Sequence, residues 1–145
     1  RFVYGQTTRY DLYGEDAYKD LIQPDLPDFA SNRFEQLCHK ASTELHPDLN
    51  FTDTGQWWRQ EREIDVVGLT SSDEVLVGEA KFTSSPLGYN TLSRLEEDSQ
   101  HLKIDKDRRY ALFSRSGFKQ SVRETVEERN DIHLHDLGDI VGALE

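Results

Sequence analysis

Residues 63–82, EIDVVGLTSSDEVLVGEAKF, constrain the fold more than any other stretch of the chain. Two apolar runs rich in Val, Leu and Ile flank the polar segment TSSDE, the pattern of a β-hairpin. Asp65, Glu79 and Lys81 interrupt those runs. An unpaired charge on a buried strand costs several kcal/mol, so three of them require a reason. A hairpin turning symmetrically about Ser72 sets Leu69 against Val75, Val67 against Val77, Asp65 against Glu79 and Glu63 against Lys81. Strict alternation then puts Glu63, Asp65, Val67 and Leu69 on one face, apolar near the turn and charged at the far end. A one-residue slip would send Asp65 to the opposite face.

The rest of the chain supplies a setting for this hairpin. A helix is expected from about Pro27 to Thr43, with Asp25 as N-cap and Phe34, Leu37, Cys38 and Ala41 on one face. Glu35 falls about 60° around the helix from Cys38 and borders that stripe. Strands are expected at Gly55–Gln60, Glu63–Leu69, Val75–Phe82, Tyr110–Ser114 and Ile132–Leu134. Helices are expected from Pro86 (Leu92, Leu95, Leu102), from Gly117 (Phe118, Val122, Val126), and at the end around Ile140, Val141 and Leu144. The fold class this order implies is α/β, a mixed central β-sheet flanked by helices. Residues 1–25, rich in aromatics and with a short helix expected at Asp16–Ile22, read as an N-terminal arm or linker, and residues 26–145 as one domain.

Convergent carboxylates repel unless a cation lies between them. Asp65, Glu79 and the backbone carbonyl of Ala80 offer hard oxygens suited to Mg²⁺ (or Mn²⁺), with Lys81 beside a metal-bound water and Glu35 as a further ligand or water partner. The plainer alternative is a Glu63–Lys81 ion pair with Asp65 and Glu79 as solvated edge charges. Glu35 could equally be an ordinary solvated helix residue.

Composition bears on partners and on origin. The chain has 145 residues and a net charge of −11, with 15 Asp and 13 Glu against 11 Arg and 6 Lys. Acidic, lysine-poor surfaces suit molar intracellular salt, and a halophilic source is expected. The charge opposes tight non-specific DNA binding. Yet Arg59, Arg62, Lys81, Arg108, Arg109, Arg115, Lys119 and Arg123 were expected to gather as a basic rim at the sheet edge and the SRSGF turn. The single cysteine, Cys38, excludes an intrachain disulfide and a cysteine-based zinc site, reads as a packing residue, and fits a reducing cytoplasm. No apolar run approaches the length of a membrane span. The start at Arg1 and the absence of Met lead us to expect a domain cut from a longer polypeptide.

Three smaller features have competing readings. Of Trp57 and Trp58, one is expected in the core. His133 and His135 share a strand face but lack an evident third metal ligand, so edge-strand surface is expected. Ser114, Arg115 and Ser116 before Gly117 could offer amides to a phosphate or cap a helix.

Asp65, followed by Glu79-Ala80-Lys81 and preceded by a helical Glu35, resembles the PD-(D/E)XK nuclease superfamily. Its restriction-endonuclease-like core has the order αβββαβ, and the likeness spans roughly residues 30–135. Ile64 stands where the superfamily's name has Pro. The blocks RFEQLC, WWRQEREIDVVGL, VGEAKF and LFSRSGF also resemble the C-terminal domain of unknown function of archaeal AAA-type ATPases. The opening RFVY is similar to the segment joining that domain to the ATPase part. These resemblances imply a metal-dependent nuclease-like domain that cleaves DNA, with ATP used by an upstream ATPase domain. The alternative they leave is an inactive nuclease-fold module that docks nucleic acid or protein.

Overall fold

The hairpin centred on Ser72 forms, in the register expected: Val66 pairs with Gly78, Val67 with Val77 and Gly68 with Leu76. The computed structural model describes residues 2–4 and 26–145. The expected N-cap Asp25 and the helix at Asp16–Ile22 lie outside the described residues, as does nearly all of the expected arm. The described elements run β1 (Phe2–Tyr4), α1 (Leu26–Leu45), a 3-10 turn (Pro47–Leu49), β2 (Phe51–Arg59), β3 (Arg62–Thr70), β4 (Glu74–Lys81), α2 (Tyr89–Ser99), β5 (Asp107–Ser114), α3 (Gln120–Glu128), β6 (Ile132–Asp136) and α4 (Leu137–Leu144). The strands make one mixed sheet in the order β1-β2-β3-β4-β5-β6. Pairing is antiparallel from β1 to β4 and parallel from β4 to β6.

Each face of the sheet buries its own core. Phe34, Cys38 and Ala41 of α1 and Ile140 of α4 pack with Val66, Leu76, Ala111 and Phe113. Leu92 and Leu95 of α2 and Val122 of α3 pack with Ile64, Val67, Val77 and Leu112 on the other face. A fully buried side chain of this kind contributes about 1.5–3 kcal/mol, so each helix is pinned by several such contacts. Leu37, expected on the buried stripe of α1, is 37% exposed; the buried set runs Phe34, Cys38, Ala41 and leaves Leu37 at its margin. Leu102 lies beyond the end of α2, in the loop, yet its side chain still enters the core. Trp57 is buried and Trp58 partly exposed, as alternation requires. Chain geometry at α2 and α3 departs from expectation in a common way. Leu87 and Phe118 form a parallel bridge, with Leu87 N donating to Gly117 O and Lys119 N donating to Leu87 O. The backbone just before each helix is used as sheet, so both helices start about three residues late.

One irregularity positions the site. Gly55 of β2 opposes Val67, but Trp57 opposes Ile64, so Gln56 alone faces both Asp65 and Val66. This is a β-bulge with its extra residue in β3. It breaks the alternation expected along that strand: Ile64 and Val67 enter one core and Val66 the other. Glu63, Asp65, Val67 and Leu69 therefore do not form the continuous face that strict alternation gives.

Candidate active site

Antiparallel pairing brings the start of β3 to the end of β4, and parallel pairing brings the end of β5 to the same edge. Past Val66–Gly78 the β3–β4 ladder opens. The Ala80 amide, released from that ladder, donates instead to Asp65 Oδ2 at 2.9 Å. Asp65 is one of the two residues of the bulge, so the contact forms where the regular alternation of β3 is broken. Splayed strands leave a cleft of about 300 Å³, lined by Glu35, Glu63, Asp65, Glu79, Ala80 and Lys81, and also by Arg94 of α2. Asp65, Glu79, Ala80, Lys81 and Glu35, the set singled out from the sequence for metal binding and catalysis, thus line one recess. Two were missed as site residues: Glu63, given to an ion pair, and Arg94.

Lys81 Nζ lies 3.2 Å from Glu79 Oε1, its ion-pair partner here in place of the Glu63 of the plainer alternative. Gln56, opposite the bulge, donates its side-chain amide to Glu35 Oε1. His39, one turn along α1, holds Nε2 3.8 Å from the same oxygen. The cleft is electrostatically tense. Burial, then repulsion from Glu79 and Glu35, pushes the Asp65 carboxyl well above the usual range, against the pull of the Ala80 amide. Burial raises Glu79 as well, opposed by Lys81. Burial and then Glu35 raise Glu63, opposed by Lys81 and Arg94. Carboxyls that give up a proton reluctantly are common where chemistry is done, and also where a cation is to be bound.

Among the described residues, no group of three or more His, Cys, Asp or Glu is spaced to enclose a metal ion. The donor set fits Mg²⁺ nonetheless. That ion keeps several of its waters and takes only one or two carboxylates from the protein, all through hard oxygens. Asp65, Glu79 and the Ala80 carbonyl are such donors, and neither His nor Cys lines the cleft to favour zinc.

Elsewhere, three expectations change. The basic rim is split between two ends of the sheet. Arg109 sits at the far end, held by Asp48 at 2.8 Å and Glu74 at 2.9 Å. Arg108 donates to the carbonyls of Ser99, Leu102, Ile104 and Lys106 and so ties down the loop after α2. At the cleft end, Arg62 pairs with Asp98 at 3.0 Å and Arg115 stacks on the Phe82 ring, 4.7 Å from its centre. The histidines are the second change. His135 is buried, and a third histidine, His46, meets it with Nε2 to Nε2 at 2.9 Å while stacking edge-on against His133. Arg109 Nη1 lies 3.3 Å from His46 Nδ1; a guanidinium only donates, so Nδ1 accepts and His46 Nε2–H donates to His135. Burial lowers His46 to about 3 and His135 to about 4. This is a neutral hydrogen-bonded pair, not a metal site. Third, Ser116 Oγ donates to the Thr83 carbonyl, and Gly117 (φ 85°) turns the chain into the bridge with Leu87, so that turn is occupied by the protein itself. Cys38 is buried with its thiol pushed up by burial and then by Glu35 and Asp65, which leaves it inert.

Residues 1–101 match the family model of DUF234, described as archaea bacterial proteins of unknown function. The chain belongs to the DUF234 family. The matched part of this DUF234 chain carries all of the cleft residues named above. No curated protein matches it. Among solved structures it is similar to a repair endonuclease from Pyrococcus abyssi, at 14% identity and a TM-score of 0.44, covering 69% of this chain. The chain spans 46% of that endonuclease's length. No helix among the described residues is long and apolar enough to cross a membrane.

Proposed function

We propose that this domain hydrolyses DNA phosphodiesters with Mg²⁺ held by Asp65, Glu79 and the Ala80 carbonyl. One observation carries the reading: Asp65, Glu79 and Lys81 meet in a single cleft where β3 and β4 part, with Asp65 anchored on the Ala80 amide. When bound, the metal would supply a water of lowered pKa and offset charge on the phosphate. The chain's own residues do the rest. Glu79 holds Lys81 at 3.2 Å, which fixes the ammonium beside the place where the attacking water must stand. Lys81 donates to that water and keeps a lone pair turned to phosphorus. Glu35, itself held by Gln56, borders the cleft from α1 and receives a proton through water. We further propose, on the resemblance to archaeal AAA-type ATPase C-terminal domains, that the module acts downstream of an ATPase domain in one polypeptide and that ATP is bound by that domain.

The second reading is an inactive module that docks nucleic acid or protein for that ATPase. Its support is the net charge of −11 and the engagement of Arg62, Arg108 and Arg109 in internal contacts, which oppose a firm hold on a DNA backbone and favour a protein as the docked partner. Cleavage of single-stranded, duplex and branched DNA in molar KCl separates the two. The first reading expects cleavage with Mg²⁺, none with EDTA, none in Glu79→Gln, and a fall of about 10²-fold or more in Lys81→Ala. Binding without cleavage under all these conditions supports docking.

A further inference from the structure

Among the described residues, four carboxylates and two cations line the cleft, an excess of two negative charges when all are ionised. A phosphodiester anion meets repulsion there until a dication arrives, and even then it needs a donor of its own. Lys81 is already engaged by Glu79. Arg94 is the other cation. It lies on α2 between Leu92 and Leu95, both buried, so packing on either side fixes the helix segment that carries it. Its side chain makes no ion pair or hydrogen bond among the described residues, unlike Arg62, Arg109 and Arg129, which pair with carboxylates. Its charge is nevertheless felt by Glu63 and Glu79. A guanidinium offers a planar fork that matches two phosphate oxygens at once, a geometry an ammonium lacks.

We propose that Arg94 is the substrate-binding cation of this cleft, its guanidinium donating to non-bridging oxygens of a DNA backbone phosphate beside the metal position. The proposal rests on the nuclease reading and adds to it an order of events. The dication binds first and removes the excess negative charge; the phosphate then enters between the dication and Arg94.

The test uses Ca²⁺, which takes the same class of oxygen ligands as Mg²⁺, and a fluorescent DNA duplex titrated over a range of KCl. Arg94→Gln is expected to weaken Ca²⁺-supported DNA binding about tenfold and to reduce the slope of log K against log salt by about one. Arg94→Lys is expected to restore the slope but only part of the affinity. Ca²⁺ binding by Arg94→Gln is expected to be unchanged or tighter, because a positive charge has left the carboxylates. A residue that merely balanced those carboxylates would give tighter Ca²⁺ binding with no loss of DNA affinity. Equal DNA affinity and equal salt slope in Arg94→Gln therefore overturn the assignment, whatever happens in the metal arm. Asp65→Asn separates the two claims. If it and the omission of Ca²⁺ leave wild-type DNA binding unaltered, the metal reading fails and the proposed order fails with it. If the wild-type domain binds no DNA with Ca²⁺, both fall.

Discussion

Replacing Asp65 by Asn is expected to stabilise the metal-free domain. The Asn side-chain carbonyl can accept the Ala80 amide as Oδ2 does at 2.9 Å, so that hydrogen bond survives in a neutral, weaker form. What disappears is a buried negative charge facing Glu79, Glu35 and Glu63. Relief of like-charge opposition between strands is worth about 0.2–1 kcal/mol per pair; Glu79 is such a neighbour across the strands, and Glu35 on α1 and Glu63 on the same strand add to the crowding. Against this stands the weakening of one charge-assisted hydrogen bond. The net expectation is about 1 kcal/mol of added stability at pH 7, or roughly 3–4 °C in Tm for a domain of this size. Asp65→Ala is expected to go the other way by about 2 kcal/mol, because it strands the Ala80 amide without a partner. Thermal melts in EDTA and in Mn²⁺ measure both effects. Mn²⁺ should raise the Tm of the wild type and not of either variant. If Asn destabilises as Ala does, the crowding of carboxylates inferred for the cleft is wrong. If Mn²⁺ still stabilises Asp65→Asn as it does the wild type, Asp65 is not a ligand.

Two further outcomes follow from the packing. His46 and His135 have pKa values lowered to about 3 and about 4, so the unfolded chain binds more protons than the folded one below about pH 6.5. Their contribution is present above that pH and is lost as pH falls toward 4; by pH 5.5 the pair should cost about 3 kcal/mol, seen as a steeper acid loss in urea melts of wild type than of His135→Phe. Gly68 is crossed by the Phe51 ring, and an added Cβ there would collide with Phe51 Cε1; Gly68→Ala should lower stability by about 1–3 kcal/mol in a denaturant titration, with Phe51→Ala in the same chain reducing that loss.

The hairpin was legible because two periodicities agreed. Alternating apolar residues set the strands, and the polar TSSDE set their register, so Val67 against Val77 could be read directly. The helices were legible from Leu92, Leu95 and Val122 at helical spacing. The bulge was not, because an extra residue in β3 is decided by pairing with β2, and nothing in EIDVV marks it locally. The same gap hid the parting of β3 and β4 beyond Gly78. Glu63 carried a signal, two positions before Asp65, but a long lysine nearby offered a simpler partner than the cleft. Arg94 carried none: it is one arginine on an amphipathic helix, and only the placement of α2 beside the open strand ends brings it to the carboxylates. His46 was hidden by distance, since 89 residues separate it from His135.

The sheet lists its strands in the order the chain supplies them, so each strand forms its ladder beside a strand adjacent in sequence. Closing such neighbours costs little loop entropy. Asp65, Glu79 and Lys81 all belong to one such local pairing. The reactive trio is therefore drawn together by one of the shortest closures in the sheet, while Glu35 and Arg94 reach it from helices that must cross over the faces.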